Sequence, residues 1–212
     1  MCHVLIDALV LAGGRSSRLG AVPKAGLVYE GETLLARTLG AAGIARQVVA
    51  VGPIDAEALP PQALVAREDP PFSGPAAGIA AGLAALAATG TAPSDVTLVL
   101  ACDMPHADVV VRTLVDALTD AAAADEIDGV IGVDENGRRQ PLAAAYRTSR
   151  LAAAVRAHRD ELAGLPVSRL IADLTLLPVA TPPGATDDVD TWSDAQRLGV
   201  APRPGVELPD TV

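Results

Sequence analysis

Short apolar runs alternate with segments of helical periodicity along almost the whole chain, and this alternation restricts the fold more than any other feature. Strand-like runs cover residues 3–14, 47–52, 62–68, 95–103 and 175–181, with a strand-turn-strand segment at 128–147. Helical spacing of apolar residues covers 31–46, 74–90, 106–125, 149–158, 166–174 and 191–199. Because strands that alternate with helices form βαβ units, we expect a three-layer α/β/α fold. Its sheet should be mostly parallel, with a small antiparallel hairpin.

Length, composition and charge narrow the class of protein. The 212 residues suit one domain, predicted over residues 1–200, and the proline-rich segment 201–212 is predicted to be a disordered tail. A net charge of −10 argues against binding to nucleic acid. The absence of an 18-residue apolar run predicts no membrane span, and the cytoplasm is the expected location. Cys2 and Cys102 form no metal-spaced set.

The string "VLAGGRSSRLGAVPK", residues 10–24, places two adjacent glycines directly after the first strand. Ligands of open parallel sheets bind at the carboxyl ends of the strands. Gly13 and Gly14 lack a Cβ, so their backbone N–H groups can approach a phosphate. Arg15, Arg18 and Lys24 could add charge-assisted hydrogen bonds to it. The string fits neither the dinucleotide pattern nor the Walker pattern, and a structural turn with solvated arginines is the alternative.

The same string resembles the signature L-A-G-G-x-x-x-R-[ML]-G-x-x-x-K of a nucleotidyltransferase family, and most closely the MobA-like molybdenum cofactor guanylyltransferases. The matching positions, which the resemblance makes nucleotide-binding or catalytic, are Leu11, Ala12, Gly13, Gly14, Arg18 and Lys24. The resemblance extends over residues 7–199 and implies a Rossmann-like, GT-A-like nucleotidyltransferase fold. It also implies that the turn binds the triphosphate of a nucleotide, which Arg18 and Lys24 neutralise.

Two further segments carry acids that the family uses. "REDPPFSGPAAGIAAGL", residues 67–83, is similar to a segment in which an acid contacts the nucleotide. Asp69 is the matching residue and Glu68 the alternative; a carboxylate there could accept from the N1–H and exocyclic amine of guanine. "LVLACDMPH", residues 98–106, resembles the strand whose closing aspartate binds Mg²⁺ and the nucleotide, which makes Asp103 a catalytic candidate. A helix cap is the alternative for Asp103, and packing is expected for Cys102.

The resemblance also assigns an acceptor side and a second metal ligand. "GRRQPLAAAYR", residues 137–147, is similar to the strand that faces a molybdopterin-type acceptor, which ends in a phosphate monoester. Arg138, Arg139 and Arg147 could hold that phosphate, and Gln140 could meet the pterin, although exposed arginines on hairpins are common. "DDVDTWSDA", residues 187–195, resembles the family's closing [DN]-x-[DN]-T-P-E-D, so Asp190 is a candidate second metal ligand.

The implied reaction is Mg²⁺-dependent transfer of GMP from GTP to the terminal phosphate of molybdopterin or molybdenum cofactor, with release of pyrophosphate. Pro23 before Lys24 is commoner in cytidylyl- and uridylyltransferases, and the guanylyltransferases often have asparagine near Val51. Cytidylyl transfer to the same cofactor and transfer to another phosphorylated acceptor therefore stay open. A non-catalytic nucleotide-binding partner protein is the non-enzyme alternative. Transient contact with molybdoenzymes or their chaperones is a further expectation.

Overall fold

A computed structural model describes residues 4–14, 17–20, 22–54, 56, 59–120 and 127–203. The strands in these residues are β1 Ile6–Leu11, β2 Val28–Tyr29, β3 Glu32–Thr33, β4 Gln47–Val51, β5 Leu64–Ala66, β6 Val96–Ala101, β7 Gly129–Val133, β8 Arg139–Arg147 and β9 Leu176–Ala180. The α-helices are α1 Leu34–Ala41, α2 Pro75–Ala88, α3 Ala107–Asp120, α4 Thr148–Ala157, α5 Val167–Leu170 and α6 Trp192–Arg197.

Seven strands form one sheet in the order β5-β4-β1-β6-β8-β7-β9. β8 is antiparallel to both of its neighbours, β6 and β7, whereas the remaining pairs are parallel. The predicted mostly parallel sheet and the predicted hairpin are therefore confirmed. The antiparallel strand lies inside the sheet, and its first residues reach the same edge at which the parallel strands end.

Helices cover both faces of this sheet, which confirms the three layers. Within β1, Ala8 and Val10 pack in one apolar cluster, and Leu9 and Leu11 pack in another on the opposite face. α1 and α3 contribute to the first cluster, and α2 contributes to the second. Both clusters are built almost entirely of alanine, valine, leucine and isoleucine, so the helices lie close to the strands.

Two predicted helices are shorter than their apolar spacing indicates. The helix predicted over 31–46 begins only at Leu34, because residues 28–33 form the β2–β3 hairpin. The turn residues Glu30 and Gly31 have φ values of 49° and 85°, as a two-residue hairpin turn requires. Thr33 then caps α1, and its side chain accepts a hydrogen bond from the N–H of Ala36. The helix predicted over 166–174 is reduced to the single turn of α5.

A third, smaller apolar cluster joins distant parts of the chain beside the main core. Its buried residues are Leu19, Leu27, Leu34, Val189, Ala195 and Val200. Val28 and Ala201 exchange backbone hydrogen bonds of 2.7 and 2.9 Å, which fasten the end of this segment to β2. The cluster holds the chain that follows the glycine turn against the chain around residue 189.

Ala201, at the start of the segment predicted as a disordered tail, is thus paired, and residues 204–212 lie outside the described residues. Among the helices that the structure describes, none has both the length and the apolar character needed to cross a membrane.

Candidate active site

The glycine turn and Asp103 leave neighbouring strands at one edge of the sheet. Leu11, the last residue of β1, pairs with Val51 of β4 and Ala101 of β6, so the three strands end level with one another. The N–H of Ala12 donates to the carbonyl of Val51 at 2.8 Å, which continues this pairing past the end of β1. Gly14 then adopts a φ of 142°, a conformation that favours glycine, as the chain turns away.

The side chains of Lys24, Asp103 and Asp190 meet at this edge. The ammonium of Lys24 donates to Asp103 at 2.8 Å and to Asp190 at 2.5 Å. Only 21% of the Lys24 side chain and 16% of the Asp103 side chain is exposed. Burial alone would lower the pKa of Lys24, but the charges and hydrogen bonds of the two aspartates outweigh it and raise that pKa. Lys24 is therefore held as a cation between two carboxylates.

Asp188 joins this cluster, and the sequence analysis did not single it out. One carboxylate oxygen each from Asp103, Asp188 and Asp190 lies within 4.8 Å of the other two. Val189, between the two C-terminal aspartates, is fully buried in the third apolar cluster. Partial burial and the neighbouring charges of Asp103 and Asp190 raise the pKa of Asp188. The pattern of two acids around an apolar anchor, Asp-Val-Asp, is the signal that could have indicated it.

These three carboxylates suit a magnesium ion. Mg²⁺ prefers hard oxygen ligands and is commonly held by one or two carboxylates together with phosphate oxygens and water. The cluster already binds one cationic group, the Lys24 ammonium, through two of its three members. The donor chemistry and the charge therefore fit the predicted metal, with Asp188 as an additional candidate ligand beside Asp103 and Asp190.

The loop that carries Asp103 is fixed from two sides. The carbonyl of Asp103 accepts a hydrogen bond from the N–H of Val189 at 3.2 Å. Two residues further on, the carbonyl of Pro105 accepts from Nε of Arg37 at 3.1 Å. The Arg37 guanidinium also lies 4.8 Å from the centre of the Tyr29 ring, and that ring packs edge-on against His106. The Asp103 carboxylate is therefore presented by a loop with little freedom.

Arg18 lies at the exposed side of the cluster. Leu19 anchors the short 3₁₀ turn at residues 17–19 in the third apolar cluster, whereas the neighbouring Arg18 side chain is 73% exposed. Its guanidinium is 3.3 Å from Asp190. Arg15, the third predicted phosphate ligand, lies outside the described residues.

A cavity of about 350 Å³ opens beside the cluster. It is lined by Leu11, Gly13, Gly14, Val51, Glu68, Phe72, Gly74, Pro75, Gly78, Ala101, Cys102, Asp103 and Leu142. A volume of this size is typical of small-molecule sites. The predicted nucleotide-binding residues Leu11, Gly13, Gly14 and Asp103 thus share one concave surface, and Ala12 continues the strand beneath it.

Glu68, rather than Asp69, faces this cavity. Glu68 is buried, and its Oε1 accepts a hydrogen bond from the N–H of Phe72 at 3.0 Å. A Cβ placed on Gly13 would lie 3.8 Å from the same oxygen, so the carboxylate adjoins the glycine turn. Asp69 is exposed and does not belong to this lining; it lines a different cavity, which Glu68 also borders, together with Arg67 and residues of α2. Glu68, the alternative in the sequence analysis, is therefore better placed than Asp69 to contact a ligand in this cavity.

The predicted acceptor residues divide between the two edges of the sheet. Gln140 lines a third cavity, of about 210 Å³, which shares Asp103 with the cavity beside the glycine turn and is also lined by Asp188. Arg138 and Arg139 are exposed on the hairpin that projects from this edge. The prediction that Arg147 holds the acceptor phosphate is wrong. Arg147 pairs with Val96, the first residue of β6, and therefore lies at the edge of the sheet opposite to Asp103.

Buried Cys102 lines the first cavity beside Asp103. Burial raises the pKa of the Cys102 thiol, and the negative charge of Asp103 raises that pKa further. A thiol in this environment stays protonated at neutral pH and is a poor nucleophile. Its position agrees with the packing role expected from the sequence.

Comparison with known proteins settles the family. The sequence profile of the MobA-like NTP transferase domain matches residues 8–175. The chain belongs to the MobA-like NTP transferase family. A relative from Chloroflexus aggregans, described as a probable molybdenum cofactor guanylyltransferase, is 35% identical over 154 residues. That alignment covers 71% of this chain and 69% of the relative.

Solved structures show the same fold for this MobA-like transferase. Molybdopterin-guanine dinucleotide biosynthesis protein A from Archaeoglobus fulgidus superposes with a TM-score of 0.62 at 20% identity, over 91% of this chain and 96% of that one. The 2-C-methyl-D-erythritol 4-phosphate cytidylyltransferase of Thermus thermophilus superposes with a TM-score of 0.60 at 22% identity, over 93% and 97% of the two chains. The MobA-like chain is a nucleotidyltransferase of this fold.

Proposed function

We propose that this nucleotidyltransferase moves GMP from GTP to the terminal phosphate of a molybdopterin-type acceptor and releases pyrophosphate. The observation that carries the proposal is that Asp103, which binds the Lys24 ammonium, lines both the cavity of about 350 Å³ and the cavity of about 210 Å³. A nucleotide in the larger cavity and an acceptor in the smaller one would meet at these charges. The relative from Chloroflexus aggregans, described as a probable guanylyltransferase of the molybdenum cofactor, supports this choice of substrates.

The larger cavity provides the chemistry for a purine nucleotide. Gly13 and Gly14 line it where the phosphates would lie, and Asp103 of the same lining binds the Lys24 ammonium. Arg18 lies at the exposed side of the cluster, at Asp190. Glu68 takes the role that the sequence suggested for Asp69. Its carboxylate can accept hydrogen bonds from the N1–H and the exocyclic amine of guanine, which adenine does not offer in that arrangement.

The transfer itself needs charge neutralisation more than proton transfer. An oxygen of the acceptor phosphate attacks the α-phosphorus, and the bond to the β-phosphate oxygen breaks so that pyrophosphate leaves. The acceptor phosphate is already ionised, so no general base is required. A magnesium ion held by Asp103, Asp188 and Asp190 supplies Lewis-acid stabilisation of the phosphates when it is bound. Lys24 and Arg18 add positive charge, and the fixed Asp103 loop keeps the reacting groups aligned.

The smaller cavity would hold the acceptor. Gln140 lines it and donates from Nε2 to Asp134 at 3.0 Å, which fixes the orientation of its amide. Arg138 and Arg139 project from the adjoining hairpin, where they can bind the phosphate of the acceptor. The cytoplasmic location and the transient contact with molybdoenzymes or their chaperones stay predictions.

Cytidylyl transfer is the second candidate, because Pro23 precedes Lys24 and the fold is shared with a cytidylyltransferase. Calorimetric titration with GTP, CTP, ATP and UTP, each with Mg²⁺, separates the two. The proposal predicts that GTP binds most tightly and that omission of Mg²⁺ weakens its binding. Preference for CTP would transfer the assignment to cytidylyl transfer. No heat with any nucleotide would overturn both.

A further inference from the structure

Phe72 occupies the edge of the larger cavity, and no role has so far been assigned to it. It is the only phenylalanine of the chain, and it is 47% exposed. The ring belongs to the same cavity lining as Glu68 and Gly13. A large apolar side chain that stays this exposed beside a predicted nucleotide site is a candidate contact for a flat apolar ligand surface.

The backbone of Phe72 is held in a conformation that is rare for a bulky residue. Its φ is 63°, in the left-handed region that glycine or asparagine adopts at lower conformational cost. Such outliers persist only where surrounding contacts fix them, and they cluster at functional sites. Here the carboxylate of Glu68 accepts the Phe72 N–H, and the carbonyl of Ser73 accepts from the N–H of Gly164 at 2.8 Å. The loop is thus fixed on both sides of the ring.

We propose that Phe72 is the surface on which the base of the bound nucleotide stacks. This proposal rests on the proposed function, because it assumes that a nucleotide enters the larger cavity. The hydrogen bond from the Phe72 N–H to Glu68 ties the carboxylate to the backbone that carries the ring. The carboxylate can then read the edge of the base, and the ring can cover one of its faces.

The two residues divide affinity and selectivity between them. Every nucleobase has a π face, so stacking on an aromatic ring increases affinity with little dependence on the base. Hydrogen bonds to an edge differ between bases, so Glu68 discriminates. The guanidinium of Arg67 lies 5.9 Å from the centre of the Phe72 ring, within the range of a cation–π contact. Arg67 therefore adjoins the stack and helps to hold the ring in place.

Substitution of Phe72 tests this division with two triphosphate ligands, of which only one carries a nucleoside. In Phe72→Ala, the Kd for GTP with Mg²⁺ should rise about tenfold, the size of effect that loss of one base–aromatic stack has. The Kd for inorganic tripolyphosphate with Mg²⁺ should not change. Phe72→Gly relieves the backbone strain, and we expect the same loss of GTP affinity, which assigns the effect to the ring. Val65→Ala, an exposed apolar residue of β5 away from both cavities, is the matched control and should leave both constants unchanged.

A fluorescence measurement reports the contact directly. Trp192 is the only tryptophan of the chain, so a Trp192→Phe, Phe72→Trp double variant carries its sole indole at position 72. GTP should quench this fluorescence, and tripolyphosphate should leave it unchanged. Wild-type GTP affinity in Phe72→Ala, or equal quenching by the two ligands, would overturn the stacking role while leaving guanylyl transfer intact. A wild type that prefers CTP, with a CTP affinity that falls in Phe72→Ala, would support stacking and redirect the function. No nucleotide binding to the wild type would overturn both.

Discussion

Lys24 and Asp103 stand 79 positions apart in the sequence and meet through a 2.8 Å hydrogen bond between ammonium and carboxylate. The same ammonium contacts Asp190, so it engages two of the three carboxylates that suit a magnesium ion. A cation of the protein and a metal ion repel each other at one site. Binding of Mg²⁺ and nucleotide should therefore transfer Lys24 from the carboxylates to the phosphates, which links occupation of the metal site to neutralisation of the triphosphate.

Replacing Lys24 by methionine should lower kcat for pyrophosphate release by at least about tenfold, because one charge that stabilises the phosphates is lost. The variant should also melt at a lower temperature without metal, since the carboxylates lose their half-buried partner, and Mg²⁺ should restore part of the difference. Activity assays and thermal melts with and without Mg²⁺ measure the two effects. Arg112→Met removes an exposed cation of α3 and serves as control. Near-normal turnover in a folded Lys24→Met protein would exclude Lys24 from the reaction.

Asp188 should contribute to metal affinity, although only Asp190 was assigned as a ligand from the [DN]-x-[DN] segment. Asp188→Asn removes one of the three carboxylate charges, and we expect the Kd for Mn²⁺ to rise about tenfold, as losses around metal sites commonly do. Electron paramagnetic resonance of free Mn²⁺ measures this without any turnover. Asp160→Asn is a suitable control, because that side chain is 87% exposed and pairs only with Arg159 among the described ion pairs. Unchanged Mn²⁺ affinity in Asp188→Asn would exclude Asp188 as a ligand and leave Asp103 and Asp190 as the carboxylates of the site.

Glu68 and Asp69 form a natural matched pair for testing base selectivity. Glu68→Gln keeps the oxygen that the Phe72 N–H needs, but it replaces the second acceptor by a donor that opposes the guanine amine. The preference for GTP over CTP should fall by about tenfold or more, since a buried polar mismatch discriminates strongly. Competition between the two nucleotides measures the ratio. Asp69→Asn should leave the ratio unchanged, and the reverse outcome would return the base contact to Asp69.

Cys102 should resist alkylation while the protein is folded. It is only 4% exposed, and burial raises its pKa, so the thiolate that reacts is scarce even at pH 8. The chain has two cysteines, so a Cys2→Ser variant leaves Cys102 as the sole thiol. Cys2 itself lies outside the described residues. Iodoacetamide should modify this variant slowly in buffer and rapidly in denaturing urea. Rapid modification of the folded protein would contradict the packing role.

The glycine turn, Lys24 and Asp103 could be predicted because each belongs to a short contiguous motif at a strand end. Glu68 could not be distinguished from Asp69 by the same means. The backbone of the loop that ends at Phe72 decides which of these neighbouring acids turns inward, and no local pattern encodes that choice.

Arg147 shows a different limit of sequence reasoning. It shares a motif with Gln140, yet the two lie at opposite ends of β8. A strand of nine residues separates its ends by about 27 Å at roughly 3.4 Å per residue. Asp188 depends on the third apolar cluster, whose members come from both ends of the chain. For Arg147 the deciding information is the length of the strand, and for Asp188 the Asp-Val-Asp spacing is a local signal whose meaning depends on the tertiary burial of Val189.

The most direct test of guanylyl transfer is mass spectrometry of molybdopterin after incubation with GTP, Mg²⁺ and the protein. We expect a guanine dinucleotide product, formed together with an equal amount of pyrophosphate and absent with Asp103→Asn. An acceptor left unmodified by GTP while CTP yields the cytosine dinucleotide would contradict guanylyl transfer. No product from any nucleotide, with the nucleotide bound, would contradict the choice of acceptor.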